Sequence, residues 1–191
     1  MFYNELFESA IREAREAHSI QLFEWVLREA NLRENVTLDD QENIVILETE
    51  EDKQKNDVDL KNFYREYAFQ QIKNKNWDFV TVENNSSLKI QIVKSGIKEW
   101  YNKTTDRRQI LCIQALPLMI QKMINIKTEK NDPSKRKRNV EFFLKGECPN
   151  ISITVDNQEG KYTAHLTIIR RYSEEHRFYC LYLGGLELTK K

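Results

Sequence analysis

Between residues 139 and 183 the sequence alternates. Val140, Phe142 and Leu144 fall on one parity, as do Ile151, Ile153 and Val155, and then Tyr162, Ala164, Leu166 and Ile168. Successive side chains of a strand point to opposite faces, so each run predicts a strand with one apolar and one polar face. Runs at roughly 125–129, 139–145, 150–156, 161–170 and 177–183 predict an antiparallel sheet. Asn157-Gln158-Glu159-Gly160 reads as a hairpin connection, with Gly160 free to take a positive φ. An apolar sheet face needs a cover, and the upstream sequence supplies helices for it.

Residues 3–31 place Leu6, Phe7, Ala10, Ile11, Ala14 and Ala17 at helical spacing, continued by Ile20, Phe23, Val26 and Leu27. Residues 59–75 repeat the pattern with Leu60, Phe63, Tyr64, Tyr67, Ala68 and Ile72, and Asp57 or Asp59 is the expected cap. Between them Ile44–Leu47 reads as a short strand, and Glu48 to Asp59 as a linker. Residues 88–93 alternate like a strand, Gly96 marks a turn, and a further helix starts at Thr105 or Asp106, interrupted by Pro117. The expected fold class is α+β: N-terminal helices followed by an antiparallel β-sheet, with helices packed on one face. The expected division is an acidic helical extension and linker, 1–59, and an α+β domain, 60–191.

Thirty basic and thirty acidic residues cancel over 191 residues, but not evenly. Residues 1–60 hold 16 acids and 6 bases; residues 61–191 hold 24 bases and 14 acids. A basic segment is the electrostatic footprint of a phosphate-bearing partner, whereas solvated charge is its bland alternative. The densest run, Lys135-Arg136-Lys137-Arg138, follows the turn-forming Asn131-Asp132-Pro133-Ser134 and suits a nucleic-acid backbone without reading bases. No apolar run reaches the length of a membrane span, so no membrane partner is expected. The first residues have no signal-peptide pattern, and Cys112, Cys148 and Cys180 are widely spaced, which points to a cytoplasmic protein without disulfides or zinc. No glycine-rich phosphate loop or metal-ligand motif occurs, so no cofactor is expected.

The polar parity of the predicted sheet carries Glu141, Lys145, Ser152, Thr154, Thr163, His165 and Thr167, with Phe143 among them. Cleaving RNA by 2′-hydroxyl attack needs a base, an acid for the leaving 5′ oxygen, and cations beside the phosphate. His165, Glu141, Lys145 and Arg170 or Arg171 are residue types fit for those roles without a metal, and Phe143 is fit to stack a base. Polar residues on a solvated sheet face are also what an ordinary antiparallel sheet shows. His18 and His176 read as structural or surface residues.

The order of segments adds a resemblance. The strand 88–93 enters Ser95-Gly96-Ile97-Lys98, then come Leu116-Pro117, Phe142-Phe143, Gly160-Lys161-Tyr162, His165-Leu166-Thr167 and Phe178-Tyr179. Over residues about 88–185 this resembles the third large polyvalent protein-associated domain of phage and mobile elements. That group is linked to the barnase–EndoU–colicin–RelE class of RNase-like folds. The resemblance implies an RNase-like sheet and RNA as substrate. It also draws attention to Lys98 and Glu99, because the family often has a histidine where this chain has Glu99.

Two functions follow as expectations, beside RNA binding without cleavage, which needs only the basic segment. One is a metal-independent endoribonuclease with His165 as acid, Glu141 or Glu99 as base, and Lys98, Lys145 or Arg170 on phosphate. Lys135, Arg136, Lys137, Arg138 and Phe143 would extend its grip on RNA. The other is a non-catalytic interaction module, with a protein partner or a second copy held by the N-terminal helices.

Overall fold

The computed structural model describes residues 35–130, 140–173 and 178–191, with side chains throughout except at 141, 171–173 and 178–184. Residues 3–31, the run 135–138, His18 and His176 lie outside the described residues. The chain divides into two compact units, Met1–Glu34 and Asn35–Lys191. Where the sequence suggested a boundary after Asp59, residues 35–59 share a unit with the sheet.

The second unit is a mixed α/β structure. Its described strands are β1 (Val36–Leu38), β2 (Ile44–Leu47), β3 (Phe79–Val82), β4 (Asn85–Gln91), β5 (Ile124–Lys130), β6 (Val140–Val155), β7 (Gln158–Ser173) and β8 (Phe178–Lys190). The helices are α1 (Glu50–Lys53), α2 (Asp57–Lys73), α3 (Lys94–Tyr101), α4 (Arg107–Leu111) and α5 (Leu116–Gln121), with a 3-10 turn at Cys112–Ala115. One sheet joins the strands in the order β1-β2-β6-β7-β8-β4-β3, and β5 also pairs with β6.

Three expectations about the sheet are corrected. It is not wholly antiparallel: β2 runs parallel to β6, with Ile44 opposite Ile151, and β4 runs parallel to β8 at Gln91 and Tyr182. Parallel neighbours need a long crossover, and the helices between these strands provide one. The runs 139–145 and 150–156 are one strand, β6, bulged between Cys148 and Ile151 with Asn150 at φ 60°. The bulge absorbs Pro149, which has no N–H for a ladder. It also marks a change of neighbour. On one edge, β6 pairs with β5 before the bulge and with β2 after it, while β7 runs along the other edge. The hairpin turn is Asp156-Asn157, at φ 50° and 61°, which suits a two-residue turn with both residues left-handed. Gly160 is instead a strand residue, and a Cβ there would lie 2.7 Å from the Tyr162 ring.

The parity of the apolar runs places the core. Leu144, Ile151, Ile153, Tyr162, Ala164, Leu166 and Ile168 are buried on one face. Helix α2 buries Leu60, Tyr64 and Ala68 at four-residue spacing, and α3 buries Gly96, Ile97, Trp100 and Tyr101. Gly96 is thus a buried helical residue and not a turn. Met123, just after α5, fills the space over Gly146, and Gln109 donates to the Leu186 carbonyl. Both contacts put the helices on the apolar face. Among the described helices, none is long and apolar enough to cross a membrane.

Helix starts follow local chemistry. Asn56, not Asp57 or Asp59, caps α2 by accepting from the Val58 and Asp59 amides. Asp106 caps α4, and Pro117 sits in the first turn of α5, where its missing donor costs nothing. The stretch 48–59, which resembled a linker, wraps Arg107. That guanidinium donates to Glu48 and Asp57 and to the carbonyls of Asp52 and Lys55. Glu48 in turn accepts from the Asp156 amide at 2.9 Å, which ties the segment to the β6–β7 turn.

Candidate active site on the open face of the sheet

The polar parity of β6, β7 and β8 faces away from the helices. Register arranges it in transverse rows. Glu147, His165 and Glu187 form one row, from β6, β7 and β8. Lys127, Lys145, Thr167 and Gly185 form the next, starting on β5. Phe143 and Ile169 stand in a third, with Glu129 of β5 opposite Phe143. Directly opposed residues lie about 5 Å apart at Cβ, so the first two rows make one continuous surface, while in the third Ile169 is buried.

His165 Nδ1 is 3.8 Å from Glu147 Oε1, and each side chain is 42% exposed. Asn125, at φ 53° near the start of β5, donates from Nδ2 to the other Glu147 oxygen at 3.0 Å. Glu147 is therefore held from one side while it faces the imidazole from the other. Lys145 Nζ is 3.4 Å from Glu129 Oε2 and half exposed. At Gly185 a Cβ would sit 3.7 Å from Thr167 Cβ, an ordinary contact, so packing does not impose the glycine. Its effect is a gap in the second row beside His165, bordered by Thr167 with Lys145 beyond it.

The structure brings together His165, Lys145 and Phe143 of the residues singled out from sequence. It separates others. Arg170 has the parity of the apolar face and stacks on Phe142, its guanidinium carbon 5.1 Å from the ring centroid. Lys98 and Glu99 lie on α3, on the helical side, with Lys98 Nζ 5.6 Å from the Phe69 centroid. Glu141 is the extra residue between the pairs Val140–Arg171 and Phe142–Arg170, and its side chain is not among those described. Glu147, Asn125 and Glu187 escaped sequence reasoning. The strand expected at 139–145 ends two residues short of Glu147.

The buried thiols are inert by contrast. Burial holds the Cys112 thiol well above its ordinary range and pushes Cys148 up to about 12. Neither suits a nucleophile, whose thiolate must form near neutral pH. Among the described residues, no group of three or more His, Cys, Asp or Glu is placed to hold a metal ion.

The family comparison decides the kinship. The model of large polyvalent protein-associated domain 3 matches residues 55–179. The chain belongs to that family. The match to large polyvalent protein-associated domain 3 begins earlier than the motifs from residue 88 suggested and takes in α2. It contains Lys145, Glu147 and His165, whereas Gly185 and Glu187 follow it. Nothing among curated proteins and nothing among solved structures matches the chain.

Proposed function

We propose that this large polyvalent protein-associated domain 3 is a metal-independent endoribonuclease acting on the open sheet face. The observation that carries the reading is the Glu147–His165 pair, 3.8 Å apart beside the gap at Gly185 that Thr167 borders. With Nδ1 turned to Glu147, Nε2 is left for the substrate. Glu187, on the other side of His165, takes the 2′-hydroxyl proton. The 2′ oxygen then bonds to phosphorus, the bond from phosphorus to the 5′ oxygen breaks, and His165 protonates that oxygen. The products are a 2′,3′-cyclic phosphate end and a 5′-hydroxyl end. Lys145 and Lys127 offset charge on the phosphate, and Phe143 offers a ring to the neighbouring base.

The test is incubation of the full chain with labelled mixed-sequence RNA in EDTA over a range of pH. Cleavage to cyclic phosphate ends that is lost in His165→Ala supports the reading, because positioned acid–base groups contribute about 10²–10⁴-fold. Equal cleavage by His165→Ala removes it. One observation favours a second reading, a non-catalytic binding module. Glu99 stands where the family resemblance implies a histidine, and α3 holds it on the helical side. Absence of cleavage at any pH would favour that module.

A further inference from the structure

The seam between α2 and α3 is basic, and it lies on the helical side, away from His165. Lys61, Arg65, Phe69 and Lys73 follow one another at four-residue spacing on α2. That stripe flanks the buried stripe of Leu60, Tyr64 and Ala68, one position over, so it turns toward α3. Contacts confirm the direction. Lys61 Nζ donates to the carbonyls of Asn102 and Thr104, at 3.1 and 2.7 Å, and stands 5.8 Å from the Tyr101 centroid. Lys94 and Lys98 of α3 both stand over the Phe69 ring, at 5.5 and 5.6 Å.

Five cations thus border one seam. Arg65 has a carboxylate partner, Glu66, on its own helix, 3.7 Å away and largely exposed. Such a pair neutralises little in water. Lys61 is held by carbonyls, which leave its charge uncompensated, and Lys94 and Lys98 rest on a ring. From Lys61 to Lys73 the stripe runs about 18 Å at 1.5 Å per residue. Fixed cations at that spacing suit a repeating polyanion more than one small anion.

We infer that the α2–α3 seam binds the phosphate backbone of single-stranded RNA, independently of the open sheet face. Phe69 favours nucleic acid over a lipid surface, since it is half-buried under two lysines and offers no apolar anchor to a bilayer.

The experiment is fluorescence anisotropy of a labelled single-stranded RNA with the full chain, over a range of salt. The variant is Lys73→Gln/Lys94→Gln/Lys98→Gln, all exposed positions, with Lys61 kept because it anchors the α3 end. The control removes three cations elsewhere, Lys89→Gln/Lys130→Gln/Lys190→Gln. The seam variant is expected to lose tenfold or more in affinity. Its slope of log affinity against log salt should fall by about 2, at about 0.7 per phosphate contact on a single strand. The control should keep both. Cleavage by the seam variant is measured beside its binding, so failure of cleavage and failure of binding are read separately. Equal losses in seam variant and control, an unchanged seam variant, or binding to anionic phospholipid vesicles without RNA binding would overturn the inference.

Discussion

Glu147 Oε1 faces His165 Nδ1 at 3.8 Å across the β6–β7 ladder, and Asn125 holds the other Glu147 oxygen at 3.0 Å. The pair exists because β6 continues past Gly146, which brings Glu147 opposite His165. Removing the carboxylate while keeping its shape therefore tests the pair directly. Glu147→Gln is expected to lower RNA cleavage at least tenfold with an unchanged melting temperature. Asn125→Ala, which only loosens Glu147, should lower it less. Equal rates for parent and Glu147→Gln would remove the carboxylate from the reaction.

Arg107 is the largest stability lesion expected. Its removal leaves the Glu48 carboxylate, 1% exposed, without its partner, and frees the carbonyls of Asp52 and Lys55. Breaking one side of a buried pair costs about 3–5 kcal/mol. Urea unfolding of Arg107→Ala should show a loss in that range. Arg107→Lys should recover only part of it, because an ammonium cannot reproduce the fork that reaches four acceptors. A loss below about 1 kcal/mol would mean the wrap is incidental.

Alkaline pH should destabilise the fold through Cys148. Burial first of all raises its folded-state pKa from 9.0 to about 12. The unfolded chain therefore ionises this thiol first. Its contribution to stability is full below pH 9 and is lost as pH rises toward 12. Chemical labelling gives the same check at milder pH. At pH 8 a thiol raised this way by burial stays almost wholly protonated, so iodoacetamide should spare Cys112 and Cys148 until urea unfolds the chain. Rapid native labelling of Cys148, found by peptide mass, would contradict this.

The Asp156-Asn157 turn should tolerate glycine and resist branching. Both residues have positive φ, at 50° and 61°. Asn157→Gly is expected to be neutral within about 0.5 kcal/mol, and Asn157→Val to cost about 1–2 kcal/mol. Thermal melts of the two variants distinguish them. Equal melts would mean that the turn relaxes without cost.

Much of the sheet was legible because alternation is a local property of the chain. The parity of Leu144, Ile153, Ala164 and Leu166 named the buried face, and His165 was placed on the open face by parity alone. Local chemistry also marked Asp106 as a cap and Pro117 as a break. Other features depended on partners distant in sequence. Gly146 lies under Met123, a contact that no local pattern shows. Asp52 and Glu48 read as solvated linker residues until Tyr64 and Arg107 are seen to receive them. Register decided the site, since a shift of one residue would have put His165 opposite a different neighbour. The sequence by itself determined which side chains share a face, because strand and helix periods follow from backbone geometry. Only the tertiary structure decided which of them meet, because Glu147, His165 and Glu187 come from three strands whose alignment is fixed by core packing over the whole unit.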